Sequence, residues 1–281
     1  MLSVRILKTV NKLFKAPVHP FNLQREGKKS YAMWQFEQGG RTVEFYLQKY
    51  SLDEMFKDKV VVDIGCGAGG KSIYYASCGA KKVYGLEILE KYKEEADSLA
   101  KELSMSDKFE FVAGDSAALP FEDNFADTII VNDAMEHVSN PEKTLSEILR
   151  VLKKGGRVYI NFPPYHHPFG AHLSDAIYIP WVHLFFSEKA LIEGYKELVG
   201  NIPDGKERIS FRISENENGK EYFSYINKMT IKRFKKIIKK MDISPVYMRE
   251  VPLRNIFSPF AKIPVLKELF VKMVVCVIEK D

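Results

Sequence analysis

From residue 58 to residue 162 the chain alternates between two hydrophobic rhythms. Short, nearly unbroken apolar runs occupy residues 60–64, 82–86, 109–113, 127–131 and 157–162. Between them, at 70–77, 89–103 and 141–154, apolar residues recur every three or four positions. The first rhythm predicts strands buried on both faces, the second amphipathic helices. Pro141 suits the first turn of its helix, and Gly155-Gly156 predicts its end. Strands separated by helices are joined by crossovers, so the pattern predicts a parallel sheet covered by helices on both faces.

After Phe162 the rhythm breaks. Residues 163–225 are rich in Pro, His, Tyr and Phe, then in Asn, Glu and Gly (ISENENGKEY), which predicts an inserted lid with short helices. A basic helix at 230–240, a strand at 245–251 and a last strand at 271–279 follow. Residues 1–57 read as helical. The expected organisation is an N-terminal helical cap, 1–57, and an α/β domain, 58–281, with the lid at about 163–225. The expected fold is a Rossmann-like, seven-stranded, mostly parallel sheet.

Charge and cysteine usage narrow the partners. Forty-two basic residues against 37 acidic ones give a net charge of +5, which does not call for nucleic acid. Cys66, Cys78 and Cys276 are far apart, without disulfide or zinc spacing, and suggest a reducing cytoplasm. No apolar run is long enough to span a membrane. Arg5, Lys8, Lys12 and Lys15 interrupt the apolar N-terminus, which excludes a secretory signal and predicts a basic amphipathic helix. The favoured place for that helix is on the protein's own core; the alternative is peripheral membrane contact through residues 1–16.

The stretch VVDIGCGAGGKS, residues 61–72, satisfies three site patterns at once. Gly65-x-Gly67-x-x-Gly70 is a dinucleotide fingerprint, Gly65-x4-Gly70-Lys71-Ser72 a P-loop, and Asp63-x-Gly65-x-Gly67-x-Gly69 an adenosylmethionine loop. All three need a tight glycine turn, so that a ligand can touch backbone at a helix N-terminus. A P-loop must hold polyphosphate, and Asp63 and Glu87 would both repel it. Lys71 and Ser72 are then the first turn of a surface helix. A dinucleotide site stays open here, because Glu87 also fits its ribose-binding acid.

Later residues carry a resemblance. With VVDIGCGAGG, the segments GLEI, GDSAALPF and EHVSNPEKTLSEILRVLKKGGRVYI make residues 60–162 similar to class I S-adenosylmethionine-dependent methyltransferases of the type 11 group. The resemblance implies S-adenosyl-L-methionine as methyl donor. It implies that Asp63, Gly65 and Gly67 pack against the methionine half of the cofactor, and that Glu87 binds both ribose hydroxyls. Asp115, with Ser116 beside it, would accept the adenine amino group, and Asn132 would face the methionine moiety. Cys66 and Ile88 complete the implied cofactor-binding set. Asp133-x-x-Glu136-His137 is similar to the acid-x-x-Glu-His motif of metal-dependent methyltransferases, with Asp133 in place of Glu; no metal is expected, though a divalent ion stays an alternative.

Methyl transfer from a sulfonium is an in-line displacement, and a hydroxyl acceptor also needs a base. His166, His167, His172 and His183 crowd the segment after the fifth predicted strand. His166 and His167 are the leading catalytic candidates, with His137 third. Phe162, Tyr165, Phe169, Tyr178, Trp181, Phe185 and Phe186 read either as a pocket for an apolar acceptor or as the lid's own core. The expected activity is methylation of a small, apolar or aromatic molecule at a hydroxyl. The alternatives are N- or C-methylation, and a non-catalytic cofactor-binding or membrane-surface protein.

Overall fold

The computed structural model describes residues 2–264 and 266–281, the side chains of Arg25 and Asn255 apart. In chain order its strands are β1 (Val60–Ile64), β2 (Lys82–Glu87), β3 (Phe109–Ala113), β4 (Ala126–Asn132), β5 (Leu152–Phe162), β6 (Ile213–Glu215), β7 (Glu221–Phe223), β8 (Tyr247–Pro252) and β9 (Val271–Glu279). The chain divides into a sheet unit, residues 29–162, 232–251 and 273–281, and a helical unit, residues 1–28, 163–231 and 252–272.

The sheet unit carries seven strands in the order β3-β2-β1-β4-β5-β9-β8. Neighbours from β3 to β5 run parallel, and β9 pairs antiparallel with β5. The expected mostly parallel, Rossmann-like sheet is therefore present. Strand order reverses between β1 and β4, which opens a crevice at the carboxyl ends of the strands. The helix Gly70–Ser77 follows β1 and lies directly against the helix Tyr31–Val43. A Cβ at Gly39 would stand 2.3 Å from Tyr74 Cγ, and one at Gly70 only 1.9 Å from the Ala32 carbonyl, so both approaches need glycine. Ser30 starts the helix Tyr31–Val43 by accepting the Met33 N–H, and Ser51 with Glu54 forms a capping box at Leu52–Phe56.

The helical unit is built from Leu2–Asn11, Pro20–Arg25, Val182–Phe185, Glu188–Val199, Gly205–Arg212, the β6–β7 hairpin and two short helices, Ser258–Lys262 and Lys267–Phe270. Its apolar core gathers Leu7, Leu173, Ile177, Leu191, Tyr195 and Val199. The N-terminal helix does lie on this core: Val4 and Leu7 are buried, and Asn11 exchanges hydrogen bonds with the Ala176 carbonyl (2.8 Å) and the Tyr178 N–H (2.6 Å). A buried carboxylate, Asp175, ties the unit together. It pairs with Arg208 at 3.2 Å and Arg212 at 3.1 Å and accepts the Tyr195 hydroxyl at 2.8 Å. Among the described residues no helix is long and apolar enough to cross a membrane.

Several sequence expectations need correction. The stretch 1–57 is not one cap: 1–28 belong to the helical unit, while 29–57 belong to the sheet unit through the glycine-mediated contact at Tyr74. The segment expected to end at 225 continues to 231 within the helical unit, which also takes in 252–272. The helix expected over 141–154 ends at Val151, because Leu152 is fully buried in β5 opposite Ala126. Burying that side chain outweighs the helix preference of Lys153 and Lys154.

Candidate cofactor site

The ends of β1, β2, β3 and β4 surround a cleft of about 590 Å³, open mouth included, lined by Gly65, Glu87, Ile88, Asp115, Ser116 and His137 among others. Gly65 turns the chain out of β1 at φ +75°, donating its N–H to the Leu86 carbonyl at 2.8 Å; a Cβ there would lie 2.7 Å from that of Ala134.

Glu87 closes β2. Its two oxygens each accept one backbone N–H, from Gly67 and from Leu89, both at 3.0 Å. Burial lifts its carboxyl above the usual range, and these N–H bonds pull it back. The Ile88 N–H also bonds this carboxylate, and of its roughly four acceptor sites capacity remains for a ligand hydroxyl. Asp115, after β3, is fixed through Oδ1 by the Ala117 N–H at 2.9 Å, and Ser116 Oγ lies 3.1 Å from Thr144 Oγ1.

Four of the expected cofactor residues stand behind this lining. Asp63 is buried, accepts the Ser72 hydroxyl at 2.6 Å, and is pushed by burial to about 7, against the pull of Ser72 and Lys71. Ser72 is thus an interior residue, not part of a surface turn. Cys66 is buried and its thiol lifted well up, which makes it a packing residue. Gly67 offers its N–H to Glu87. Asn132 Oδ1 accepts the Tyr46 hydroxyl at 2.6 Å and Asn161 Nδ2 at 2.7 Å, while its Nδ2 donates to Tyr75 at 3.0 Å. With both lone pairs of that oxygen used, Asn132 stiffens the sheet end beneath the cleft.

Lys71, the P-loop lysine of one pattern, pairs with Asp133 at 2.8 Å and is mostly buried. This pairing also bears on a metal. Asp133 is turned to Lys71, and burial, followed by the Asp133 charge, raises the Glu136 carboxyl well above the usual range. Glu136 Oε1 lies 3.8 Å from His137 Nε2. Asp133 is thus engaged by Lys71 and does not join Glu136 and His137 as a third ligand.

Of the three histidine candidates, His137 is the one in the cleft with the cofactor residues. The other two belong to the helical unit. His166 stacks parallel to His183, with Tyr165 4.8 Å from the latter. His167 Nδ1 accepts the Phe169 N–H at 3.2 Å, and burial, helped by His183 and Lys272, pulls it down to about 4. Such a weak base is poorly matched to taking a hydroxyl proton near neutral pH. Of the aromatic set, Phe162 packs on Phe234 in the sheet unit, whereas Phe185 is 75% exposed.

Sequence reasoning missed the glycine loop's support. Gln35 donates through Nε2 to the Cys66 carbonyl at 3.2 Å and accepts the Gly70 N–H at 3.4 Å, and Tyr31 and Gln35 crowd the face of Gly67. The available signal was the small-residue face Ala32, Gly39 and Gly40 of the helix Tyr31–Val43, which marks close helix contact.

Residues 62–160 match the family described as a methyltransferase domain. Among curated proteins, the chain is 35% identical over 108 residues to the chloroplastic tocopherol O-methyltransferase of Arabidopsis thaliana, covering 38% of this chain and 31% of that protein. It is 40% identical over 96 residues to the sterol 24-C-methyltransferase ERG6B of Gibberella zeae, covering 34% and 25%. The matched stretch thus spans about a quarter to a third of these relatives. The geranyl diphosphate C-methyltransferase of Streptomyces coelicolor A3(2) superposes with a TM-score of 0.54 at 14% identity, over 86% of this chain and 78% of that one, a likeness of fold. With the acidic strand ends Glu87 and Asp115 facing one cleft beside the glycine turn, the central part of this chain is a class I S-adenosylmethionine-dependent methyltransferase domain.

Proposed function

We propose that the chain transfers a methyl group from S-adenosylmethionine to a hydroxyl of a small, apolar or aromatic molecule. The reading rests on Glu87 and Asp115, two carboxylates at the ends of neighbouring strands that line one cleft and are each oriented by backbone N–H bonds. Glu87 suits the paired hydroxyls of a ribose and Asp115 an exocyclic amine, while the Gly65 turn lets a ligand lie on bare backbone. Bound there, the cofactor supplies a methyl group on a positively charged sulfur. The chain's own part is to align the acceptor and receive its proton. His137, in the same cleft, is assigned that proton as the oxygen takes the methyl.

An acceptor carbon is the second reading, favoured by the sterol C-methyltransferase likeness; the tocopherol O-methyltransferase likeness supports oxygen. Because both share the 62–160 stretch, residues outside it are assigned the choice of acceptor. Three free thiols support a reducing compartment such as the cytoplasm.

Thermal shift tests the cofactor. S-adenosylhomocysteine should raise the melting temperature and NAD or ATP with Mg²⁺ should not; the reverse result would sink the reading. Once an acceptor is found by screening with labelled cofactor, His137→Ala should lower turnover by roughly 10²–10⁴-fold with S-adenosylhomocysteine affinity almost unchanged. Full turnover in that variant would remove the base and with it the structural support for oxygen.

A further inference from the structure

The helical unit presents an apolar face whose chemistry is separate from the cofactor cleft. Trp181 holds a left-handed conformation, φ 55°, in front of the four-residue helix Val182–Phe185. That conformation is strained for a bulky residue and persists only where its surroundings fix it. Here they do: Trp181 Nε1 donates to the Leu269 carbonyl at 3.3 Å, and its ring lies 6.2 Å from Phe270. Phe257 and Phe260 each pack on the same Phe270 at 5.3 Å. One layer of rings therefore joins residues 181–185 to residues 255–270.

Out of this layer Leu184, Phe185, Ile256, Phe260 and Ile263 reach solvent, Phe185 and Ile256 at 75% exposure each. They sit on a turn and on helices of three to five residues, so they are exposed tips of separate short elements and not one continuous helix face. Such tips suit insertion into a fluid phase better than packing on a shaped protein surface.

Charge selects the fluid. Residues 176–187 and 252–267 contain no Asp or Glu, whereas Arg254, Lys262 and Lys267 punctuate the second stretch. The flanking carboxylates are engaged inside the unit: Glu188 with Lys228, Glu268 with the Ile231 N–H. An apolar, tryptophan-backed surface with cations and no anions is complementary to a layer of anionic headgroups over acyl chains. We propose that the Trp181–Phe270 face of the helical unit docks on the surface of an anionic lipid bilayer, with Phe185 and Ile256 as its inserting tips. The proposal is independent of methyl transfer, and its test uses no cofactor.

The full chain should float with vesicles of equal parts phosphatidylcholine and phosphatidylglycerol, and much less with phosphatidylcholine alone. Phe185→Asp with Ile256→Asp, at two exposed positions that leave the fold intact, should cut flotation at least about tenfold, since two large apolar side chains lose their insertion. Arg254→Gln with Lys262→Gln should weaken only the binding to charged vesicles. In a Trp34→Phe background Trp181 is the sole tryptophan, and its emission should shift to the blue on vesicle addition. No flotation of the full chain, or equal flotation of the Phe185/Ile256 variant, would overturn the proposal. So would flotation lost only in Leu2→Asp with Leu13→Asp, which would assign binding to the N-terminal helix. A dimer in solution, dispersed by the Phe185/Ile256 change without any vesicle binding, would give the face to a second copy of the chain and overturn it as well.

Discussion

The sheet unit and the helical unit treat buried ionisable groups in opposite ways. In the sheet unit the buried acids are raised toward their neutral form: Asp63 to about 7, Glu136 well up, and Glu87 upward, each chiefly by burial. In the helical unit the acid at the centre, Asp175, lies between two arginines, and the histidines are the groups held neutral. His19, His167 and His183 are all pulled down to about 4, burial again being the main cause. One unit keeps its acids near a ligand cleft without counter-charges to spare; the other uses an ion-paired knot as scaffold. The difference separates a site that must accept a polar guest from a framework that needs internal satisfaction.

Breaking the knot should have the largest effect. Asp175→Asn keeps shape but leaves Arg212, 3% exposed, without its buried counter-charge beside the carbonyl of His172 and the rings of Phe21, Tyr195, Phe211 and Tyr225. Removing one partner of such a pair costs about 3–5 kcal/mol. Asp63→Asn, which mimics a carboxyl already close to neutral, should cost well under half of that. Urea unfolding followed by amide exchange on peptides spanning 188–212 and 60–77 would test this contrast. Equal losses in the two variants would erase it.

Acidity should separate the units by sign. Asp63 has a folded pKa above its unfolded one, so the unfolded chain loses its proton first. Stability from this group is complete below about pH 4 and declines as pH rises to about 7, by at most about 4 kcal/mol. His19 and His167 have folded values below the unfolded one, so the unfolded chain gains the proton first. Their stability is complete above about pH 6.5 and is lost as pH falls toward 4, at most about 3 kcal/mol each. Amide exchange across pH 4–7 should show the helical unit loosening toward acid and the sheet unit toward neutrality. A common slope in both units, or a sheet-unit slope undiminished in Asp63→Asn, would contradict the assignment.

The same contrast governs what was legible in the sequence. Strands such as Val60–Ile64 and Phe109–Ala113 are short apolar runs closed by Gly or charged residues, and local pattern fixes both ends. The glycine turn and the acids Glu87 and Asp115 were legible for the same reason, since each follows its strand directly. The Asn132 network was not, because Tyr46, Tyr75 and Asn161 reach it from 86, 57 and 29 residues away. The helical unit was the least legible part, being assembled from three separated segments. Arg208 stands 33 residues beyond Asp175, a distance over which no helical or strand period links the two. The ring layer around Phe270 likewise joins residues that periodicity reads separately.

The smallest effect sharpens the comparison by confining cofactor binding to one unit. Glu87→Ala removes the carboxylate proposed to accept the ribose hydroxyls and also frees the Gly67 and Leu89 N–H groups that shape the loop. A charge-assisted hydrogen bond contributes about 1.5–3 kcal/mol, so S-adenosylhomocysteine should bind roughly 10- to 150-fold more weakly by calorimetry. Glu87→Gln keeps one acceptor oxygen for the loop and should recover part of the loss, which a collapsed loop would not allow. His166→Ala, in the helical unit, should leave that affinity within about twofold, because the ring stacks on His183 and Tyr165 inside its own unit. A loss in His166→Ala as large as in Glu87→Ala would mean that the helical unit helps to hold the cofactor, and the division of labour between the two units would have to be abandoned.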